Sequence, residues 1–144
     1  MNIQIDDQQF VDNYIKEIYF MYLVYILKSE NRSYIGMTND FFKRWKQHNQ
    51  IIKGGAKYTS KFKDWSPICI IDGFMTKSEA MQCEWKLKRV KGYLNRVQNL
   101  SNILQFEKKW TSKSPQISSQ NLVIYVLKEF KYIFPMNTKE LYWF

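Results

Sequence analysis

Apolar and polar positions along the 144-residue chain fall into blocks of different period. Met21 to Lys28 (MYLVYILK) is dense in β-branched, aromatic and aliphatic side chains, Glu30-Asn31-Arg32 has the polarity of a turn, and Ser33 to Thr38 (SYIGMT) resumes the apolar run. Two short runs about a tight turn predict a β-hairpin. Thr38, Asn39 and Asp40 then offer capping oxygens, and Phe42, Trp45 and Ile52 fall at helical spacing, so a helix is expected over 41–52, ended by Gly54-Gly55. The stretch 53–65 (KGGAKYTSKFKDW) reads as a basic loop with interleaved aromatics, and Ile68 to Phe74, after Pro67, reads as a third strand.

Thr76-Lys77-Ser78-Glu79 is a capping box: the Thr oxygen can accept from the Glu amide while the Glu side chain reaches back to the Thr amide. It opens a helix expected to run to about Lys91, closed by Gly92. Residues 93–110 carry a weaker helical pattern, 111–120 (TSKSPQISSQ) is a polar linker, and 122–144 is apolar and aromatic again, with a strand-like LVIYVLKEF. The expected class is α/β (α+β), a small three-stranded, mostly antiparallel sheet flanked by helices. Its parts are an acidic N-terminal extension (1–20), a central domain (21–92), and a C-terminal helical and aromatic extension (93–144) that packs on the domain.

A 45% hydrophobic content is enough for one core of this size. Charge sharpens the picture more. The net charge is +9, yet residues 1–20 hold one Lys against four acids, whereas residues 41–100 hold thirteen Lys and Arg against four. A basic centre of that kind favours a polyanion, nucleic acid first, through release of condensed counterions; charge alone leaves a merely solvated basic surface open. Two cysteines, Cys69 and Cys83, are too few for a disulfide framework or a cysteine-based zinc module. The opening MNIQIDDQQF has neither a basic nor an apolar leader region, and no apolar stretch is long enough for a membrane span. An intracellular protein of cytoplasm or nucleus, not secreted and with no membrane partner, is expected.

On the helix expected over 77–91, Ala80, Cys83, Leu87 and Val90 share one arc and Gln82, Lys86 and Arg89 lie opposite. Glu84 falls roughly 40° from Ala80, inside the apolar arc. A carboxylate there costs desolvation energy unless it is paired, hydrogen-bonded or bound to a metal. A Glu–Arg or Glu–Tyr pair satisfies that as well as a metal does. Arg44 and His48, four apart, share a face of the first helix, with Phe42 and Trp45 as its core contacts; taken alone, such a pair is more often a solvated face than a site. Tyr25 and Tyr34, one on each hairpin strand, are explained equally by ordinary cross-strand packing.

Together these residues match a known pattern. Val24-Tyr25-Ile26, then Tyr34-Ile35-Gly36 nine residues after Tyr25, Arg44 ten further on, His48 four after that, and Glu84 on a capped helix resembles the GIY-YIG endonuclease superfamily. The first triplet, VYI, departs from the family at its Gly. Gly54-Gly55-Ala56, Thr59-Ser60, Trp65, Gly73-Phe74 and Glu79-Ala80 followed by Glu84-Trp85 are similar to the branch that cleaves flaps and junctions in branched DNA. The resemblance covers residues 21–91. Relatives of that branch carry a Cys/His zinc module after the nuclease domain; no Cys or His follows Cys83 here. The resemblance therefore implies a chain that works alone, has a simpler substrate range, or uses its aromatic tail for another partner or a homodimer.

The resemblance implies hydrolysis of DNA phosphodiester bonds, with catalytic roles for Tyr25, Tyr34, Arg44, His48 and Glu84. Glu84 would hold one Mg²⁺ or Mn²⁺. Tyr25 would act as general base or position the attacking water, although a free phenol, with pKa near 10, needs neighbouring positive charge to do so at neutral pH. Arg44, with Lys57, would supply that charge and brace phosphate oxygens. His48 would bond a phosphate oxygen or Tyr34, Tyr34 would position, and Gly36 would leave room for the backbone to approach substrate or relieve crowding beside a helix. Lys53, Lys57, Lys61 and Lys63 would meet DNA phosphates, Tyr58, Phe62 or Trp65 would stack on an unpaired base, and Lys86 and Arg89 would extend the surface. Branched, flapped or nicked duplex in repair or recombination is the expected substrate. The alternative is a catalytically inactive DNA-binding module of the same fold, which explains the charge but gives no reason for the five site residues to stand together.

Overall fold

Apolar runs on both sides of a tight turn form the expected hairpin: β1 (Tyr22–Ser29) pairs antiparallel with β2 (Arg32–Thr38), and Glu30 at the turn adopts a left-handed φ of 54°. These and all further details come from a computed structural model that describes residues 21–142; the acidic extension 1–20 and residues 143–144 lie outside the described residues. Asp40 caps α1 (Phe41–His48) by accepting from the Lys43 amide. After a loop containing a short 3-10 turn at Thr59–Lys61, β3 (Ser66–Phe74) pairs antiparallel with β1. Thr76 caps α2 (Lys77–Leu87), and α3 (Tyr93–Phe106) follows Gly92.

The sheet has five strands rather than the three expected, in the order β2-β1-β3-β4-β5. Both additional strands come from the C-terminal extension: β4 (Val123–Val126) pairs antiparallel with β3, and β5 (Lys139–Glu140) lies parallel to β4. Backbone groups on the outer edge of β3 need partners, and the apolar VIYV segment supplies them while burying Ile124 and Val126. The extension also places Trp110, Phe130, Ile133 and Phe134 in the main core.

Both faces of the sheet are covered, which is why β1 and β3 read as continuous apolar runs instead of alternating ones. On one face Val24, Ile26, Ile35 and Ile71 meet Ala80, Cys83 and Leu87 of α2 and Val97, Leu100 and Ile103 of α3. On the other, Tyr25, Leu27 and Ile70 meet Phe41, Trp65 and Leu141. Two helix ends differ from expectation. The first helix stops at His48, not at 52, because Gln50 takes a left-handed φ of 59° and the side chain of Asn49 bonds Trp65, turning the chain back beneath the helix. The second stops at Leu87, short of Lys91. Within α1 the buried aromatic is Phe41, while Phe42 is half exposed.

Candidate active site

Tyr25 of β1 lies opposite Gly36 of β2, so both face the same side of the sheet. A Cβ on Gly36 would run into the Tyr25 hydroxyl and ring. The room at Gly36, read from sequence as space for substrate or as relief beside a helix, is filled by Tyr25. Lacking a side chain at that point, β2 lets the phenol lie across it toward the outer edge of the sheet, where β2 is the last strand.

His48, the last residue of α1, is fully buried against that phenol. Its Nε2 is 2.7 Å from Tyr25 Oη and its Nδ1 is 2.7 Å from Thr59 Oγ1. Thr59 Oγ1 donates its own proton to the Ala56 carbonyl at 3.2 Å, so it accepts from His48 Nδ1–H. Nε2 is then the bare nitrogen, and Tyr25 O–H donates to it. Burial, reinforced by the Arg44 charge, pushes the His48 pKa down to about 4, so the imidazole is neutral at pH 7 and keeps that lone pair. His48 thus has both nitrogens engaged away from solvent, Nε2 with the Tyr25 hydroxyl rather than that of Tyr34. Tyr34 still touches it, with ring centroids 4.7 Å apart.

Burial raises the Tyr25 phenol well above its ordinary range, and Tyr34 acts in the same direction. The Arg44 guanidinium opposes this by its charge and by a hydrogen bond, and the Glu84 carboxylate is near enough for its negative charge to raise the phenol further. Arg44 is held in place: its Nη1 donates to Gln47 Oε1 and to the Gly54 carbonyl, each at 2.8 Å. Gly55 packs so closely on the Gln47 carbonyl that a Cβ there would collide with it, which fixes the loop against the end of α1.

Glu84 reaches this place from α2, on the other face of the sheet. Its side chain is 22% exposed and pairs with Lys88 Nζ at 3.3 Å, one helical turn on. The carboxylate therefore stands at the margin of the apolar arc formed by Ala80, Cys83 and Leu87, not inside it. Among the described residues no three His, Cys, Asp or Glu side chains cluster to hold a metal. One carboxylate open to solvent suits a hard cation that fills its remaining positions with water and substrate oxygens. The sulfurs do not compete for such an ion, because Cys69 and Cys83 are buried and burial raises both thiols.

Tyr25, Tyr34 and His48 are thus in mutual contact, the Arg44 charge acts on the Tyr25 phenol, and Glu84, paired with Lys88 on α2, is near enough for its charge to act on it as well. The loop lysines Lys53, Lys57, Lys61 and Lys63 are all exposed. Lys86 and Arg89 stand elsewhere: Lys86 is roughly 200° around α2 from Glu84, pairs with Glu107 at 2.9 Å and lines a different depression with Trp110, while Arg89 stacks on Trp85. Trp65 is core, 1% exposed, with its indole donating to the Thr59 carbonyl; Tyr58 packs on Tyr34, Phe62 and Trp65 yet stays 41% exposed. Sequence reasoning missed the anchoring parts of the site. Thr59 was visible only as part of the Thr59-Ser60 pair, whereas Lys88 is an i,i+4 partner of Glu84 that helical spacing reveals.

The segment that carries this site is similar to known proteins. Residues 21–99 match the family described as the GIY-YIG catalytic domain. The chain is 46% identical over 68 residues to the structure-specific endonuclease subunit slx1 of Schizosaccharomyces japonicus, covering 46% of this chain and 25% of that protein. It is 40% identical over 78 residues to the protein of the same name from Talaromyces marneffei, covering 53% and 20%. It is 36% identical over 80 residues to the structure-specific endonuclease subunit SLX1 homolog of Giardia intestinalis, covering 54% and 22%. The matched region spans a quarter or less of the length of these relatives.

Proposed function

We propose, from the premise that this chain belongs to the GIY-YIG catalytic domain family, that it is a metal-dependent endonuclease which hydrolyses phosphodiester bonds in branched or flapped DNA. The observation that carries this reading is the Tyr25–His48–Thr59 hydrogen-bond chain, with the Arg44 and Glu84 charges both acting on the Tyr25 phenol.

A neutral phenol of raised pKa is a poor base alone. Here its proton already points at a bare imidazole nitrogen, so Tyr25 Oη can accept a proton from the attacking water as its own proton passes to His48 Nε2. Water oxygen then bonds to phosphorus, the ester bond to the leaving oxygen breaks, and the leaving oxygen is protonated from solvent. Arg44, held by Gly54 and Gln47, braces the non-bridging oxygens as negative charge grows on them. Glu84 would hold the cation, Mg²⁺ or Mn²⁺, which would supply Lewis-acid stabilisation of the developing charge. Tyr34 packs on His48 and keeps its ring in line. Lys53, Lys57, Lys61 and Lys63 contact backbone phosphates on the loop side.

The names of the relatives describe subunits of structure-specific endonucleases. By analogy we assign this chain a branched or nicked DNA substrate and a protein partner, or a second copy, engaged through the C-terminal region. Its place of action is where DNA is, inside the cell; no helix among the described residues is long and apolar enough to cross a membrane.

Labelled linear, flap and four-way-junction DNA incubated with wild type, Arg44→Ala and Glu84→Ala, in Mg²⁺ and in EDTA, tests the reading. Wild type is expected to nick branched DNA in Mg²⁺ only, both variants to fall at least about 100-fold, and Glu84→Ala to keep its DNA binding. Equal cleavage by all three proteins, or cleavage in EDTA, overturns it.

A further inference from the structure

Beside the site, between the β1–β2 turn and the start of α3, runs a groove of about 610 Å³ whose walls include Arg32, Tyr34, Tyr58, Lys88, Lys91 and Arg96. Its volume lies in the range of small-ligand pockets. Four cations and no acid line it. Arg96 is fixed there by donating to the Val90 carbonyl at 2.9 Å and to Ser33 Oγ at 3.0 Å. Arg32 is held over the Phe62 ring at 3.9 Å and bonds exposed Glu30. Lys91 is exposed and makes no ion pair among the described residues. Arg32 and Lys88 already have carboxylate partners in Glu30 and Glu84, which leaves Lys91 and Arg96 as the charges an entering anion would meet.

The second wall is aromatic. Tyr58 and Tyr34 lie nearly parallel, 16° apart in plane and 6.4 Å between centroids, with Tyr58 presenting its exposed side. Base faces are hidden inside a stacked duplex, so an aromatic wall next to cations selects unpaired nucleotides, whose bases stack while their phosphates meet the charges. The groove shares Tyr34 with the catalytic cluster and Lys88 with Glu84, so it adjoins the site directly.

We propose that this groove binds the unpaired strand of the branched substrate next to the cleavage point, with a base against Tyr58 and phosphates on Lys91 and Arg96. The assignment rests on the nuclease reading for its location, but the binding it describes needs no cleavage.

Fluorescence anisotropy in EDTA, with a labelled oligothymidylate and with a labelled blunt duplex of equal charge, separates the two. Lys91→Glu and Tyr58→Ala are each expected to weaken oligothymidylate binding about tenfold while duplex binding changes by less than about twofold, and Tyr58→Phe to bind both as wild type does. Thermal melting of each variant reports that it is folded; both positions are exposed. Equal loss for both ligands, or loss for neither, overturns the groove assignment whatever the protein cleaves. The expected binding pattern in a protein that cuts no DNA overturns the nuclease reading alone.

Discussion

His48 is neutral because it is buried, and that couples stability to pH. Its folded pKa of about 4 lies below the ordinary 6.5, so between these values the unfolded chain binds more protons than the folded one. The stabilisation is complete above pH 6.5 and is lost as pH falls toward 4, with a full value on the order of 3 kcal/mol. Urea denaturation at stepped pH is expected to show wild type losing stability over this window more steeply than His48→Gln, which cannot titrate; parallel curves would mean that His48 titrates alike in the folded and unfolded chain. Sequence spacing put Arg44 and His48 on one face but left that face open to solvent. The error came from taking Phe42 as the core contact. Phe41, seven residues before His48, shares its face, so once Phe41 is buried His48 is buried too. The contact of His48 with Tyr25 joins residues 23 apart in sequence and has no local signature.

Hairpin, capped helices and third strand follow from local chemistry: apolar runs about Glu30-Asn31, the Asp40 and Thr76 caps, and the Ile68 to Phe74 run. The two outer strands did not follow as easily. β4 was visible as the strand-like LVIYVLKEF, but its partner could not be read from sequence, and β5, only Lys139 and Glu140, carries no pattern at all. Pairing of β4 on β3 closes the backbone from Cys69 to Asp72 and helps to bury the core under α3. A chain truncated after Phe106 is therefore expected to lack a cooperative thermal transition and to aggregate through the bared edge of β3. A transition as sharp as that of the full chain would show that the hairpin, β3 and the three helices suffice.

Across the whole molecule, the site lies where two layers meet. Tyr25, Tyr34 and His48 belong to the layer of α1 and the loop, Glu84 and Lys88 to the layer of α2, and β2 is the edge strand between them. Gly36 lets the phenol cross that edge strand, and basic surface flanks it on both sides, the loop lysines on one and the Lys91–Arg96 groove on the other. The net charge of +9 predicted a polyanion but not this arrangement, since Lys91 and Arg96 come to the groove only through the turn at Gly92, whose φ is 88°. The proposed chemistry rests on the phenol at the centre. Single-turnover cleavage of flap DNA by Tyr25→Phe, at saturating protein and Mg²⁺, tests its role most directly. A rate at least about 100-fold below wild type, with DNA affinity unchanged within about twofold, is expected if the hydroxyl relays the proton to His48. A Tyr25→Phe rate equal to that of wild type would contradict it.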